Sequence, residues 1–295
     1  MADTSHAAAM MSHGPEGHLA SDAALAYYDG GPDLSRVVLE ALRAAGREID
    51  PLDPDDLAGL DEFHGLGRAA TLTMAELAGI SAGERVLDVG AGIGGPARTL
   101  AAHNRARVTA LDPTRRFCDL NTELCRRSGL EEQIEVVCGD ARRMPIDDAR
   151  FDVVWTQAVW PNVDDKPAML SEMHRVLKDG GRLALYEVTS GPAAGDLRYP
   201  VPWANGPAEN FLISANDLRA LAESRGFEVR EWLEPPNLIA RIGETAGSGH
   251  PGMKTGVDGI TLELVMPDFE TRMASLARNV EEHRLTMIMA VLAKT

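Results

Sequence analysis

Val86-Leu87-Asp88-Val89-Gly90-Ala91-Gly92-Ile93-Gly94-Gly95-Pro96 decides how the rest of this chain is read. A short apolar run ends in a carboxylate, a glycine cluster follows, and Pro96-Ala97-Arg98-Thr99-Leu100-Ala101 opens a helix. Proline suits a first helical turn because its missing N–H would have no partner there. Glycines at the turn let backbone N–H groups approach a ligand that a Cβ would hold off. The stretch therefore predicts a small-molecule cradle at the carboxyl end of a parallel strand.

Spacing alone leaves two ligands open. Gly90, Gly92 and Gly95 satisfy the dinucleotide pattern G-x-G-x-x-G, and Asp112 lies 24 positions beyond Asp88, near where a ribose-binding acid falls. On that count an NAD(P)-dependent oxidoreductase stands as the alternative. Three features argue against it. Asp88, two residues before the first glycine, suits a cationic ligand better than a pyrophosphate; Gly94 makes the loop a flatter G-x-G-x-G; past Asp140 there is no second glycine pattern and no second mononucleotide-binding half.

The pattern continues downstream. Val108-Thr109-Ala110-Leu111-Asp112-Pro113-Thr114 reads as a second strand ending in an acid, and Val136-Val137-Cys138-Gly139-Asp140-Ala141 as a third. Phe151 to Gln157 gives a fourth strand, and Arg175 to Leu183 a helix, turn and the start of a fifth. This ordered set resembles the class I S-adenosyl-L-methionine (SAM)-dependent methyltransferases. Further stretches, Phe63 to Thr71 and Val201-Pro202-Trp203-Ala204, resemble a methyltransferase type 11 branch that includes sarcosine/dimethylglycine methyltransferase-like proteins. The similarity covers about residues 60 to 295. Members of that branch commonly carry His directly after the fourth-strand Gln, where this chain has Ala158, so the branch's amino-acid substrate does not carry over.

The resemblance implies a cofactor, SAM, and a set of contacts. Asp88, Gly90, Ala91, Gly92 and Gly94 would hold its methionine end. Asp112, with Pro113 and Thr114, would take the ribose, since one carboxylate can accept from both hydroxyls. Asp140 and Ala141 would meet the adenine, Gln157 would lie beneath the methyl group, and Tyr28 would cover the cofactor. Plainer readings stand beside these: a glycine turn that only lets strand and helix pack, acids at helix N-termini worth about 0.3–1 kcal/mol each, Thr114 as a helix cap, and Tyr28 as ordinary packing. The glycine-turn reading leaves Asp112 and Asp140 at the next two strand ends unexplained.

Methyl transfer from a sulfonium needs neither a metal nor a covalent nucleophile. Holding donor and acceptor in line is worth about 7–11 kcal/mol, more than a positioned proton acceptor usually gives. Such a sequence should therefore specify the cofactor site sharply and a catalytic residue weakly. His64 is the candidate base, against a histidine that only hydrogen-bonds the cap. Phe63, Trp160, Asn162, Trp203 and Asn205 are the candidate acceptor-binding residues, aromatic walls being suited to a cation or a planar ring. Trp155 and Trp232 read as core residues, and His174 as structural. A SAM-binding protein without catalysis is a further alternative, suggested by Ala158 and the lack of an unambiguous base.

Composition bounds the rest. A formal charge of −16 and no basic cluster argue against a nucleic-acid partner or an anionic membrane surface. No apolar run reaches the roughly 18 residues that span a bilayer, and the first 20 residues lack a secretory apolar block, which points to the cytoplasm. Oligomeric state stays open. Cys118, Cys125 and Cys138 have no metal-ligand spacing, and His6, His13 and His18 sit in a stretch with nothing to rigidify it, so no metal is expected.

Apolar strands alternating with helical stretches from Arg85 to Val188 predict an α/β fold. The expected form is a doubly wound, Rossmann-like, seven-stranded sheet with its last strand antiparallel, a helical N-terminal cap and lid insertions. The organisation expected is a disordered leader at 1–20, a helical cap at 21–80, and a SAM-binding domain at 81–295 with lids at about 190–213 and 234–283. Ser21–Asp29, Leu34–Ala45 and Leu66–Ala78 read as cap helices, and Glu234–Met266 as a Gly/Pro-rich loop.

Overall fold

The computed structural model describes residues 33–193, 195–250, 252–253 and 256–295. Tyr28, the Ser21–Asp29 helix and the leader histidines lie outside the described residues. Helix α1, Leu34–Ala44, buries Leu34, Val38, Leu39 and Leu42 at helical spacing. The Asp33 carboxylate caps its start by accepting from the Arg36 amide. A 3-10 turn at Pro54–Leu57 and a single helical turn α2, Ala58–Asp61, lead to α3, Gly67–Ala78.

From there strands and helices alternate as the sequence predicts. They are β1 Arg85–Val89, α4 Gly95–Asn104, β2 Arg107–Asp112, α5 Arg115–Arg127, β3 Ile134–Cys138, β4 Phe151–Gln157, α6 Lys166–Val176 and β5 Leu177–Ser190. The chain closes with α7 Ala215–Ser224, β6 Phe227–Leu233, α8 Asn237–Gly247, α9 Phe269–Glu281 and β7 Leu285–Lys294. Ser214 caps α7 by accepting from the Asp217 amide, while its hydroxyl donates to the Asp217 carboxylate.

All seven strands share one sheet in the order β3-β2-β1-β4-β5-β7-β6. Strands β1 to β5 pair in parallel, and β7 runs antiparallel between β5 and β6. The period of two is visible in β4: Val153 and Trp155 enter one apolar layer, and Val154 the other. Strand order turns back between β1 and β4, which opens a crevice above their carboxyl ends. A third apolar cluster seats Leu34, Val38, Leu42, Leu57 and Leu60 on Phe117, Leu120 and Leu124 of α5, so the N-terminal segment packs beside that crevice.

Two expectations are corrected. The stretch 234–266 is not a plain loop: it contains α8, whose Leu238 and Ile242 bury against the layer that holds Met74 and Ala78. Its N-cap is Pro236, which makes no side-chain cap bond, so the usual start signal is missing. Trp232 is half-buried on the sheet's edge strand, its indole N–H donating to Glu234. Among the described residues no helix is long and apolar enough to cross a membrane.

Candidate active site

The carboxyl ends of β1 to β4 open into a cavity of about 1320 Å³, counting the open space at its mouth. Gly90, Gly92 and Gly94 bend the chain there with φ of 72°, 53° and 86°, a region that L side chains rarely adopt. A Cβ on Gly92 would meet nothing within 4 Å. The bend thus leaves room at the wall of the cavity. Gly92 donates its N–H to Asp112 Oδ2 at 2.8 Å, and Thr114 donates its own to Oδ1 at 2.8 Å. Asp112 therefore ties the β1 turn to the β2 turn. Thr114 is the N-cap residue of α5 but its side chain makes no cap bond, so capping is not what that hydroxyl does.

Gly95 serves packing and does not line the cavity. A Cβ there would stand 2.1 Å from the Asp61 carbonyl oxygen. Its glycine lets the N-terminal segment lie against α4, a requirement that has nothing to do with a pyrophosphate. Gly94 does not line the cavity either; the Asn121 amide fills the space beside it.

Asp88 lines the cavity yet is only 2% exposed, and its Oδ2 has no hydrogen-bond partner. Burial first, and then the charge of Asp112, push its carboxyl up to about 7, against a lowering contribution from the Ala97 backbone. A buried carboxylate oxygen without a partner, on a residue that lines a cavity, is matched by a cation. The residues present therefore fit the ammonium end of SAM.

At the third strand end, Arg142 forks Asp140 at 2.6 to 3.0 Å and reaches Asp164 at 2.7 Å. These bonds hold the guanidinium well above its ordinary range, the Asp140 hydrogen bond leading. Asp140, Ala141, Arg142 and Asp164 all line the cavity. Arg142 and Asp164 were not foreseen, because pairing between the ends of β3 and β4 leaves no local spacing signal.

Gln157 ends β4 at the cavity wall, its amide fixed by Trp155 Nε1 at 2.9 Å and Thr71 Oγ1 at 3.3 Å. Next to it Ala158 sits at φ 56°, unusual for a residue with a Cβ. His64 also lines the cavity, but its geometry departs from the expectation of a base. Nε2 lies 2.9 Å from Glu62 Oε2 and 3.0 Å from Thr71 Oγ1, and Nδ1 lies 3.3 Å from the Gly65 carbonyl oxygen. Both nitrogens face protein oxygens, so neither is directed at a substrate.

Of the expected acceptor residues, Phe63, Asn162 and Trp203 line the cavity. Trp160 does not: it is 1% exposed in the core beneath α6, and its indole donates to Thr156. Asn205 does not either; it is exposed, and its side-chain oxygen accepts from Arg272. Met266, Phe117 and Val163 join the wall from segments that carry no sequence signal for it, and Pro202 from the stretch that holds Trp203. His174 packs edge-on to Phe227, as a structural residue does. The dispersed thiols are free, Cys118 and Cys125 buried and Cys138 exposed, and among the described residues no group of metal-binding side chains occurs.

Fold and site together define a class I methyltransferase, and comparison with known proteins agrees. Residues 87–185 match the family described as "Methyltransferase domain". The chain is 33% identical over 213 residues to the methyltransferase GfsG of Streptomyces halstedii, covering 70% of this chain and 72% of that one. Among solved structures it is similar to the [4+2]-cyclase SpnF, with a TM-score of 0.60, 22% identity and coverage of 93% and 96%. It is also similar to geranyl diphosphate C-methyltransferase of Streptomyces coelicolor A3(2), with a TM-score of 0.64, 16% identity and coverage of 96% and 100%. The chain spans about half the length or less of the sterol methyltransferases it matches. The chain belongs to the methyltransferase domain family, and it is a SAM-dependent methyltransferase. The dinucleotide reading is set aside.

Proposed function

We propose that this cavity holds SAM with its ammonium on Asp88, its methionine end along Gly90, Ala91 and Gly92, its ribose on Asp112 beside Pro113 and Thr114, and its adenine near Asp140 and Ala141. When bound, SAM would supply a methyl group from sulfur, the new bond to the acceptor forming as the C–S bond breaks with its electron pair left on sulfur and the acceptor's proton passing to water. The acceptor is a small molecule, an amine or a natural-product intermediate, methylated on N, O or C. Relatives named for 27-O-demethylrifamycin SV and for geranyl diphosphate support that breadth only as analogues of fold and family.

The chain's own contribution is placement. Gln157, clamped by Trp155 and Thr71, forms a rigid floor at the end of β4. His64, held by Glu62, orients that floor through Thr71 rather than receiving a proton. Trp203 and Met266 belong to the 190–213 and 234–283 insertions, which act as lids, and the segment before residue 80 acts as a cap. In-line placement of this kind is worth about 7–11 kcal/mol, enough to carry a reaction whose leaving group departs neutral. The reaction runs in the cytoplasm without a nucleic-acid or membrane partner, which the charge of −16 supports.

The observation that carries this reading is the partnerless Asp88 oxygen in the same cavity as Asp112, Asp140 and the open side of Gly92. Calorimetry with S-adenosylhomocysteine, which keeps the ammonium, ribose and adenine, tests it; absence of binding at millimolar ligand ends it. Transfer of label from methyl-labelled SAM to a panel of amines, phenols and alcohols tests the reaction.

A further inference from the structure

We propose that the acceptor is an uncharged, apolar molecule carrying a hydroxyl, and that the acceptor end of the cavity selects against both anions and ammonium ions. The inference rests on the donor placement above and adds to it the chemistry of the remaining wall. The carboxylates Asp61, Asp88, Asp112, Asp140 and Asp164 line the cavity, against Arg142 and His64. Arg142 is forked by Asp140 and Asp164, and His64 is held by Glu62. The one guanidinium among the described lining residues is thus already matched, and His64 turns both ring nitrogens to protein oxygens, so a phosphate or carboxylate on the acceptor would find no cation left for it.

An ammonium acceptor fares no better at this end. Asp61 is sealed against Arg98, and Asp88 and Asp112 face the donor. What remains is apolar: Phe63 from the cap, Trp203 and Met266 from the two insertions, and Val163 beyond β4. Trp203 is 7% exposed and gives its indole N–H to Asn210 at 2.9 Å, so only its ring is left for a ligand. Away from the donor's Asp88, two polar atoms of the lining residues lack a hydrogen-bond partner: Asp61 Oδ2, which the Arg68 guanidinium approaches at 3.5 Å, and Asn162 Oδ1, an uncharged acceptor suited to an O–H donor. A buried acceptor left without a donor is costly, and a ligand hydroxyl would answer it.

The test uses the full chain saturated with S-adenosylhomocysteine and reads acceptor binding by calorimetry, with no turnover required. The probes are a ten-carbon isoprenoid alcohol, its diphosphate, and n-octylamine. The alcohol should bind at least about tenfold more tightly than either charged probe. Met266→Ala and Trp203→Ala should each weaken the alcohol about fivefold or more, as loss of buried apolar contact implies, and Asn162→Leu about tenfold, with homocysteine-nucleoside affinity unchanged in all three. Equal or tighter binding of the diphosphate or the amine overturns the inference, as does binding of none of the probes or indifference to all three substitutions. Failure of S-adenosylhomocysteine itself to bind, measured first, would instead remove the donor placement on which the inference stands.

Discussion

Arg98 and Asp61 are both sealed from solvent, and the guanidinium donates to the carboxylate across 37 positions of sequence. Arg98 also donates to the Ile93 carbonyl and to Asn121, while Arg68 approaches the second Asp61 oxygen at 3.5 Å. The pair therefore welds the last residue of α2 to the helix that follows the glycine bend. Burial pushes the Asp61 carboxyl up, and Arg98 and then Arg68 pull it back. Removing one partner of a buried pair leaves the other charge uncompensated, which costs about 3–5 kcal/mol.

Arg98→Met should accordingly lower unfolding free energy by about 3 kcal/mol in urea titration. The double variant Asp61→Asn/Arg98→Met should recover part of that loss, because no charge is then stranded. A single variant within 1 kcal/mol of the parent would show that the pair does not hold the cap.

Asp88 gives a pH dependence with a definite sign. Its ordinary value is 3.8, and burial raises it in the fold to about 7. Unfolded chains lose this proton near pH 4, whereas the fold keeps it until about pH 7. The unliganded protein should therefore lose stability as pH climbs through that window, by up to about 4 kcal/mol, and level off above it. Asp88→Asn should flatten this portion of the curve of Tm against pH. Ligand binding should run the other way, since only the ionised carboxylate matches an ammonium. S-adenosylhomocysteine affinity should rise by up to about tenfold per pH unit below 7 and then plateau, and Asp88→Asn should erase the slope.

The strand ends were legible because their chemistry is local. Asp88, Asp112 and Asp140 each follow an apolar run, and a doubly wound sheet brings such ends together whatever lies between. Even the role of Gly95 could be misread only because spacing carries no information about the Asp61 backbone that abuts it. The acceptor wall was half legible. Phe63 and Trp203 belong to stretches resembling the family and Asn162 follows the fourth strand, but Met266 reaches the cavity from a segment beyond α8, and Arg142 owes its place to Asp164 in another loop. Trp160 misled for a physical reason: after β4 the chain turns at Ala158, and this sends Val159 toward the cavity and the next side chain into the core.

His64 separates two mechanisms kinetically. A general base typically contributes 10²–10⁴-fold, and its loss reshapes the pH–rate profile. With both ring nitrogens facing Glu62, Thr71 and Gly65 oxygens, His64→Gln should lower kcat by about tenfold or less and leave the shape of that profile intact. Glu62→Gln should resemble it, because both act through Thr71 on Gln157. A hundredfold loss in His64→Gln with a displaced acidic limb would restore the histidine as proton acceptor.

Glu187 holds the turn that shapes the cavity floor, though it does not line the cavity. It is 1% exposed, and its Oε2 accepts from the Val159 and Trp160 backbone N–H groups at 2.9 and 3.1 Å. Those bonds fix the residues just after Ala158, and Val159 packs so closely on Gly90 that a Cβ there would meet it at 2.4 Å. A carboxylate on β5 thus governs how the β4 turn meets the glycine bend. Glu187→Ala strands two buried donors and should cost about 2–3 kcal/mol, with S-adenosylhomocysteine affinity falling about tenfold as Val159 shifts. Glu187→Gln keeps an acceptor oxygen and should lose less than half as much of either. It also removes a carboxyl that burial raises from 4.5 to about 8, so its stability should fall less steeply as pH rises through that window, keeping only the part that Asp88 contributes. Equal losses in the two variants, by urea titration and calorimetry at pH 6 and pH 9, would mean that side-chain volume rather than the two accepted hydrogen bonds sets the turn.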